Sequence, residues 1–313
     1  MATKITSTAL AALDVSVRAN FQKAYQSGQG YKPWADMVAA RVPSSSTKNV
    51  YPLVVDSGAI QEWTSGPRDY YTPVMSSFEL TNKKYSLGVA CSREWIEDDQ
   101  TGLLLPAIRS AARKFLIHPD ALLAAVINAN PLTLDGVALF SATHFKNGRN
   151  SGGGTFSNAK TSRALTVANV ATTRAELLAL TGPDGFPMIN PGARLTIIVP
   201  PSLERTAREI AFAMYANDSV TSGLQQENVM RGMYDVLVIP QLESLSATTW
   251  YMADLSDPDD RPLIFQERTP LEESAKVNLS DDNVVDLDEY RWAWRVRYVA
   301  GPGNPWKIQR CAA

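Results

Sequence analysis

Apolar residues return every three or four positions between residues 7 and 27, at Leu10, Leu13, Val17, Phe21 and Tyr25. That period predicts an amphipathic helix with Ser7 or Thr8 as its cap and Gly28 as its stop. The stripe is narrow, so the helix needs a partner surface. After "KPWADMVAARV" comes "PSSSTKN", a linker by composition. Residues 50 to 93 differ in kind. "GAIQEWTSGPRDYYTPVM" mixes Gly, Pro and aromatics without a helical period, and Tyr85, Leu87, Val89 and Cys91 then alternate with small or polar residues. Alternation of period two predicts a strand. The whole stretch reads as one long β-hairpin with few buried positions, which must lean on something else.

From Leu103 to Asn128 the helical period returns, through Leu104, Ile108, Ala112, Phe115, Leu116, Leu122, Leu123, Val126 and Ile127. Pro106 fits a first turn, whereas Pro119 is expected to kink or split the helix. Residues 146–160, "KNGRNSGGGTFSNAK", read as a flexible loop. Residues 165–270 predict a mixed α/β module with a central sheet. Its helix is "VATTRAELLAL", and a turn follows at Pro183-Asp184-Gly185. "RLTIIVPP" is a buried strand. Ser202 is expected to cap a helix with Ala207, Ile210, Ala211 and Met214 on one face. "YDVLVIP", "TTWYMADL" and "RPLIFQER" supply further strands. Near the end, Tyr290, Trp292, Trp294, Val296 and Tyr298 share one strand face, and Arg291, Arg295 and Arg297 the other. Internal repeats are absent from the sequence.

Composition narrows the function classes. The 313 residues can bury a sizeable core, with 45% hydrophobic and 20% charged residues as in globular proteins. No apolar run approaches the roughly 20 residues of a membrane span, and the start lacks the pattern of a signal peptide. Cys91 and Cys311 make no disulfide framework, which suits a reducing cytoplasm. A net charge of −2 argues against sequence-independent DNA binding. Four carboxylates, Glu94, Glu97, Asp98 and Asp99, crowd into "EWIEDDQTG". They precede the long helix, where negative charge meets the positive end of the helix dipole. The rival reading is a metal-assisted hydrolase using Glu94, Asp98 and His144, which predicts stoichiometric bound metal. His144 has no His or Cys neighbour, and a zinc site needs three or four ligands. His118-Pro119-Asp120 matches the tripeptide of J-domain co-chaperones, but an apolar helix follows at once and makes Pro119-Asp120 a first turn. Nucleophile-elbow and phosphate-loop motifs are absent, and no catalytic, cofactor or metal residue is assigned.

Several segments in order resemble one family. "LTNKKYSLGVACSREWIEDDQTG" resembles its strand ending in Arg-x-x-Ile-Glu-Asp-Asp, and "QEWTSGPRDY" its Glu-Trp, Gly, Arg element. "LDGVALFSATHF" resembles an Asp-Gly…Phe…His stretch, carried by Asp135, Gly136, Phe140 and His144. "LTIIVPPSLERTA", "TTWYMADL" and "RPLIFQER" match further landmarks. The chain is thus similar to the major head (capsid) subunit of Mu-type tailed phages and prophages, the gpT family. Its tail, "PGNPWKIQRC", keeps Trp306 but not the expected flanking residues, which leaves the last strand's partner open.

The resemblance implies an α+β, HK-97-like capsid fold: an N-terminal arm at 1–49 and an extended β-hairpin loop at 50–92, then two domains. The peripheral domain, at 93–160 and 272–313, holds a long spine helix, and the axial α/β domain spans 161–271. It implies self-assembly into pentamers and hexamers of an icosahedral head enclosing double-stranded DNA without sequence-specific binding. Expected partners are a separate scaffolding protein, a portal at one vertex and a cementing or decoration protein, with no membrane. Assembly belongs in the host cytoplasm and the product in the virion. The residues expected at subunit contacts are Trp63, Arg68, Tyr70, Tyr71, Glu97, Asp98, Arg291 and Arg295, since Tyr, Trp and Arg tend to dominate interface energetics.

Overall fold

The computed structural model describes residues 6–56, 62–63, 65–67, 70, 74–98, 100–147, 154–182, 185–216 and 226–313. Helix α1 (Ser7–Ser27) starts where the Thr6 hydroxyl accepts the Ala9 amide, just ahead of the predicted caps. It stops at Gly28, whose φ of 60° suits a residue without a Cβ. Its buried side, Leu10, Val17, Phe21 and Ala24, finds its partner surface within the chain. After a short α2 (Ala35–Val38), β1 (Ala39–Pro43) runs directly into the main sheet.

The segment expected as one hairpin divides into two structures. β2 (Lys48–Asp56) and β3 (Val74–Thr81) pair antiparallel with each other. β4 (Lys83–Ser92), which carries the predicted alternation, belongs to a different, four-stranded sheet. A short α3 (Arg93–Glu97) then turns into α4 (Leu104–Ala129), a single helix that Pro119 does not split. Proline leaves one carbonyl of a helix without its usual donor; here tertiary burial on both sides of it, from Phe115 to Leu123, outweighs that loss.

The predicted loop at 146–160 also contains structure. β5 (His144–Phe145) pairs with β6 (Thr155–Phe156), and β7 (Ala159–Lys160) joins the second sheet. Residues 148–153, its Gly-rich centre, lie outside the described part. α5 (Val167–Leu178), β8 (Leu195–Val199) and α6 (Glu204–Phe212) follow as expected in kind. Ser202 is not the cap of α6: its hydroxyl donates to the Ala247 carbonyl, and Met214 lies beyond the helix and exposed. The expected turn at Pro183-Asp184-Gly185 is described only from Gly185 onward. β9 (Tyr215–Ala216) and β10 (Gln226–Glu227) make a small ladder, and β11 (Tyr234–Val238) and β12 (Trp250–Asp254) enter the second sheet.

β13 (Leu263–Lys276), read from the sequence as part of that module, instead pairs with β14 (Glu289–Pro302), reached through α7 (Asp282–Leu287). The first sheet has the order β1-β13-β14-β4. β15 (Ile308–Cys311) settles the open question of the last strand's partner. It lies between β12 and β7 in the second sheet, of order β11-β8-β12-β15-β7.

Alternation explains how the layers join. Tyr290, Trp292, Trp294, Val296 and Tyr298 of β14 are all buried, and Arg291 and Arg295 between them are exposed. Phe21 of α1 stacks on Trp294 at 4.3 Å between centroids and meets Phe115 of α4 edge-on at 6.3 Å. The five residues of β8 are all buried because both faces of the second sheet are covered. Ile198, Tyr251 and Ala253 face the core shared with α1 and α4; Leu195, Ile197, Trp250 and Met252 face α5 and α6.

Candidate subunit-contact surface

The acidic run sits at the corner between β4 and α4. Ser92 caps α3 by accepting the Trp95 amide at 3.4 Å. Arg93 points back to the body: its amide donates to the Asp288 carbonyl at 2.9 Å and its guanidinium lies 3.7 Å from the Asp288 carboxylate. Ile96 packs against the core. Glu94 and Asp98 are exposed. The Arg-x-x-Ile landmark therefore holds the corner, and Glu94 and Asp98 face outward. They straddle a short helix of their own rather than the first turn of the long one, which corrects the expected placement.

The hairpin of β2 and β3 is anchored at its base by neutral groups. Tyr51 donates to Gln266 Oε1 at 2.7 Å, and Gln266 Nε2 donates to Asn82 Oδ1 at 2.8 Å. Asn82 Nδ2 in turn donates to Ser44 Oγ and the Ser46 carbonyl, both at 2.9 Å. Gly301 of β14 leaves room for Leu80; a Cβ there would come within 2.6 Å of that side chain. Farther out, Trp63 is 60% and Tyr70 92% exposed, with Trp63 Nε1 donating to the Gly66 carbonyl at 2.9 Å. Arg68 and Tyr71 lie outside the described residues, as does the side chain of Glu97. Arg291 and Arg295 stand on the outer face of β14 and pair within the chain, with Glu289 at 3.0 Å and Glu272 at 2.6 Å. Those of the expected contact residues that are described thus occupy three stretches: the hairpin, the corner and the outer face of β14.

The hydrolase reading fails on geometry. His144 is fully buried, with Nδ1 2.7 Å from Asp135 and Nε2 3.2 Å from the Leu139 carbonyl, while Glu94 and Asp98 face solvent. No cluster of three or more metal-ligating side chains occurs among the described residues. The Asp135-Gly136 landmark is a buried turn lock instead. Asp135 accepts from Thr133 at 2.6 Å and from the Val137 amide at 3.1 Å, and Gly136 takes a φ of 74°. Burial pushes the Asp135 carboxyl up, but the His144 and Thr133 hydrogen bonds outweigh it and hold it below the usual range.

The His118-Pro119-Asp120 tripeptide lies inside α4, not at a helix start or in an exposed loop. His118 Nδ1 is 2.7 Å from the Tyr298 hydroxyl, and burial lowers its pKa. Asp120, 0% exposed, accepts the Tyr31 hydroxyl and the amides of Ala35 at 2.8 Å and Trp34 at 3.4 Å. It satisfies donors at the start of α2 and fixes the chain entering β1. Burial raises the Asp120 pKa against those hydrogen bonds. Two further polar joints escaped sequence reasoning. Lys307 reaches Asp254 at 2.8 Å, and burial disfavouring both charges is outweighed by their contact, so the carboxyl is lowered and the ammonium raised. Arg163 clamps Glu176 through both guanidinium nitrogens, and chiefly that contact holds the Glu176 carboxyl down to about 2. No local signal marks any of these, because each pairs residues far apart in sequence.

Comparison with known proteins places this arrangement. The chain is similar to the subunit in the procapsid of bacteriophage JBD30, with 21% identity over 99% of this chain and 76% of that one, at a TM-score of 0.54. It is similar to the capsid of an empty GTA particle, at 12% identity over 90% of both chains and a TM-score of 0.54. The mature capsid of bacteriophage PhiM1 gives 12% identity over 90% of this chain and 87% of that one, at 0.53. No curated protein matches by sequence. These likenesses establish the HK-97-like capsid fold. A family model described as the Mu-like prophage major head subunit gpT matches residues 10–164 and 243–311. That is well over half of the chain, and the unmatched centre runs from α5 to β11. The chain belongs to the family of Mu-like prophage major head subunits, the shell-forming proteins of the phage capsid.

Proposed function

We propose that this subunit builds both pentamers and hexamers of an icosahedral head around double-stranded DNA. The observation that carries the reading is the hairpin of β2 and β3. It pairs with itself, is tied to the body at its base, and presents Trp63 and Tyr70 outward. A two-stranded ribbon is marginal alone, so a neighbouring subunit supplies its support. On this reading the β2–β3 part of residues 50–92 is the extended loop and 1–49 the arm; 93–160 with 272–313 is the peripheral domain, which also takes β4 and β13 through the first sheet, and the remainder of 161–271 is the axial domain. Ile308–Cys311 crosses back to the axial sheet. The contacts run through Trp63, Arg68, Tyr70, Tyr71, Glu97, Asp98, Arg291 and Arg295. A heterologous contact of this kind closes into rings when its rotation permits.

The same reading gives a scaffolding protein encoded separately, a portal at one vertex, a cementing protein outside, and DNA held without sequence-specific contacts. Assembly takes place in the host cytoplasm, and no reaction is catalysed. Electron microscopy of the expressed protein tests it. Alone, the subunit is expected to give oligomers, tubes or irregular shells, and with its scaffold, closed shells showing five- and six-fold capsomers. Uniform closed shells from the single gene would remove the scaffold from the proposal; capsomers of one symmetry in closed heads would overturn the dual role.

A further inference from the structure

A groove of about 690 Å³ lies between α1 and α4, lined by Lys23 and Asn20 on one helix and Arg109, Ser110 and Arg113 on the other. Three cations and no carboxylate face it. Among the described residues none of the three cations has an ion-pair partner, and Arg109 merely donates to the Leu105 carbonyl of its own helix at 3.3 Å. All three are exposed. Arg109 and Arg113, four residues apart on one helix, repel each other, and an anion from outside would relieve that repulsion.

The chain carries a matching anion. Glu94 and Asp98 stand one helical turn apart on the exposed corner and likewise have no described ion pair. Arg109 and Arg113 are also one turn apart, so the two pairs have the same spacing along a helix. We propose that the acidic corner of one subunit, centred on Glu94 and Asp98, docks into the Lys23–Arg109–Arg113 groove of a second copy. This rests on the shell-forming role and specifies one of its contacts. Both halves lie on every subunit and differ from each other, as a head-to-tail contact that closes a ring requires. An acidic scaffold segment or DNA phosphate would also suit the cations. Neither explains why the chain bears an acidic pair of equal spacing left unpaired at its own corner.

Charge reversal in both halves separates these cases. With the scaffold present, Arg109→Glu with Arg113→Glu, or Glu94→Arg with Asp98→Arg, is expected to lower the yield of sedimenting shells at least about tenfold, since like charges then face each other. All four changes in one chain should restore shells to near the unmodified yield. Four-fold variants no better than either pair, or groove-reversed subunits that assemble normally, would overturn the docking. So would groove-reversed shells that form but lose DNA or scaffold. A carbodiimide, which joins an amine to a carboxylate in contact, provides a readout without mutation. In unmodified shells it should link Lys23 to a carboxylate within residues 94–99 of another subunit, and in free subunits it should not; shells with Lys23 unlinked to that run would overturn the proposal. Failure of the unmodified protein to make shells with its scaffold would instead count against the broader reading.

Discussion

Helix α1 and the β2–β3 hairpin are neighbours in sequence, and both were expected to reach outward, yet the body holds them in opposite ways. α1 gives Leu10, Val17, Phe21 and Ala24 to the main core and adds polar ties, Asp14 accepting Trp292 Nε1 at 3.0 Å and Arg18 pairing with Glu273 at 3.2 Å. The hairpin gives Tyr51 and Leu80 at its base and leaves Trp63 and Tyr70 outside. An apolar stripe that finds its partner surface makes a segment part of the subunit; a ribbon without one depends on contacts from elsewhere. The first helix therefore belongs to the fold of the single subunit, whereas the hairpin is the part that the proposed function gives to contacts in the shell.

Substitutions ranked by their cost can break that contrast. Phe21→Ala, which empties the space between Trp294 and Phe115, should cost the free subunit about 3–5 kcal/mol in denaturant unfolding. A loss below 1 kcal/mol would mean that α1 is not core. Asp120→Ala leaves buried amides at Trp34 and Ala35 without an acceptor and should cost about 1–3 kcal/mol, read by the same measurement. Acid provides a third test. The Glu176 carboxyl is depressed to about 2 by Arg163, so its contribution is complete above the ordinary glutamate range and fades as pH falls through about 2. Discounted for partial exposure of the pair, the loss is about 1–2 kcal/mol between pH 5 and 2, visible as a falling melting temperature; Glu176→Gln should flatten that slope. The hairpin base is held by neutral amides and hydroxyls, so Tyr51→Phe should cost about 0.5–1.5 kcal/mol equally at pH 5 and 7. Trp63→Ala should change the free subunit by no more than about 0.5 kcal/mol and yet reduce the yield of shells. Limited proteolysis sets the two regions side by side: cutting near Gly66 to Thr72 should be fast in free subunits and slow in shells, with α1 uncut in both.

Much of this was legible along the chain where burial repeats at a fixed period. The stripe of α1, the run of α4 and the alternation in β4 and β14 each announced their element, because a helix or strand repeats its environment every few residues. Period reports which face is buried, not what buries it. Leu263–Phe265 therefore read correctly as a strand and was put with the wrong sheet, since its partners, Ala39–Arg41 and Ala300–Pro302, are distant in sequence. Asp120 and Pro119 misled for the same reason. A carboxylate and a proline both argue locally for a helix boundary, and only Tyr31, Trp34 and Ala35 make the buried carboxylate tolerable. The family landmarks at Arg93 and Asp135 were likewise visible as residues, while their work as fasteners waited on Asp288 and His144.

The seat of β15 between β12 and β7 has a consequence in time. During synthesis a ribosome releases residues 159–160, then 195–199 and 250–254, well before 308–311, and the second sheet has a vacant slot until the last of these emerges. The main sheet likewise holds β1 and β4 open for strands made some two hundred residues later. Pairings across such separations close slowly, so a nascent subunit cannot present a finished surface to its neighbours. Translation itself thereby delays association: a chain becomes competent to join a shell only after residues 308–311 have been made.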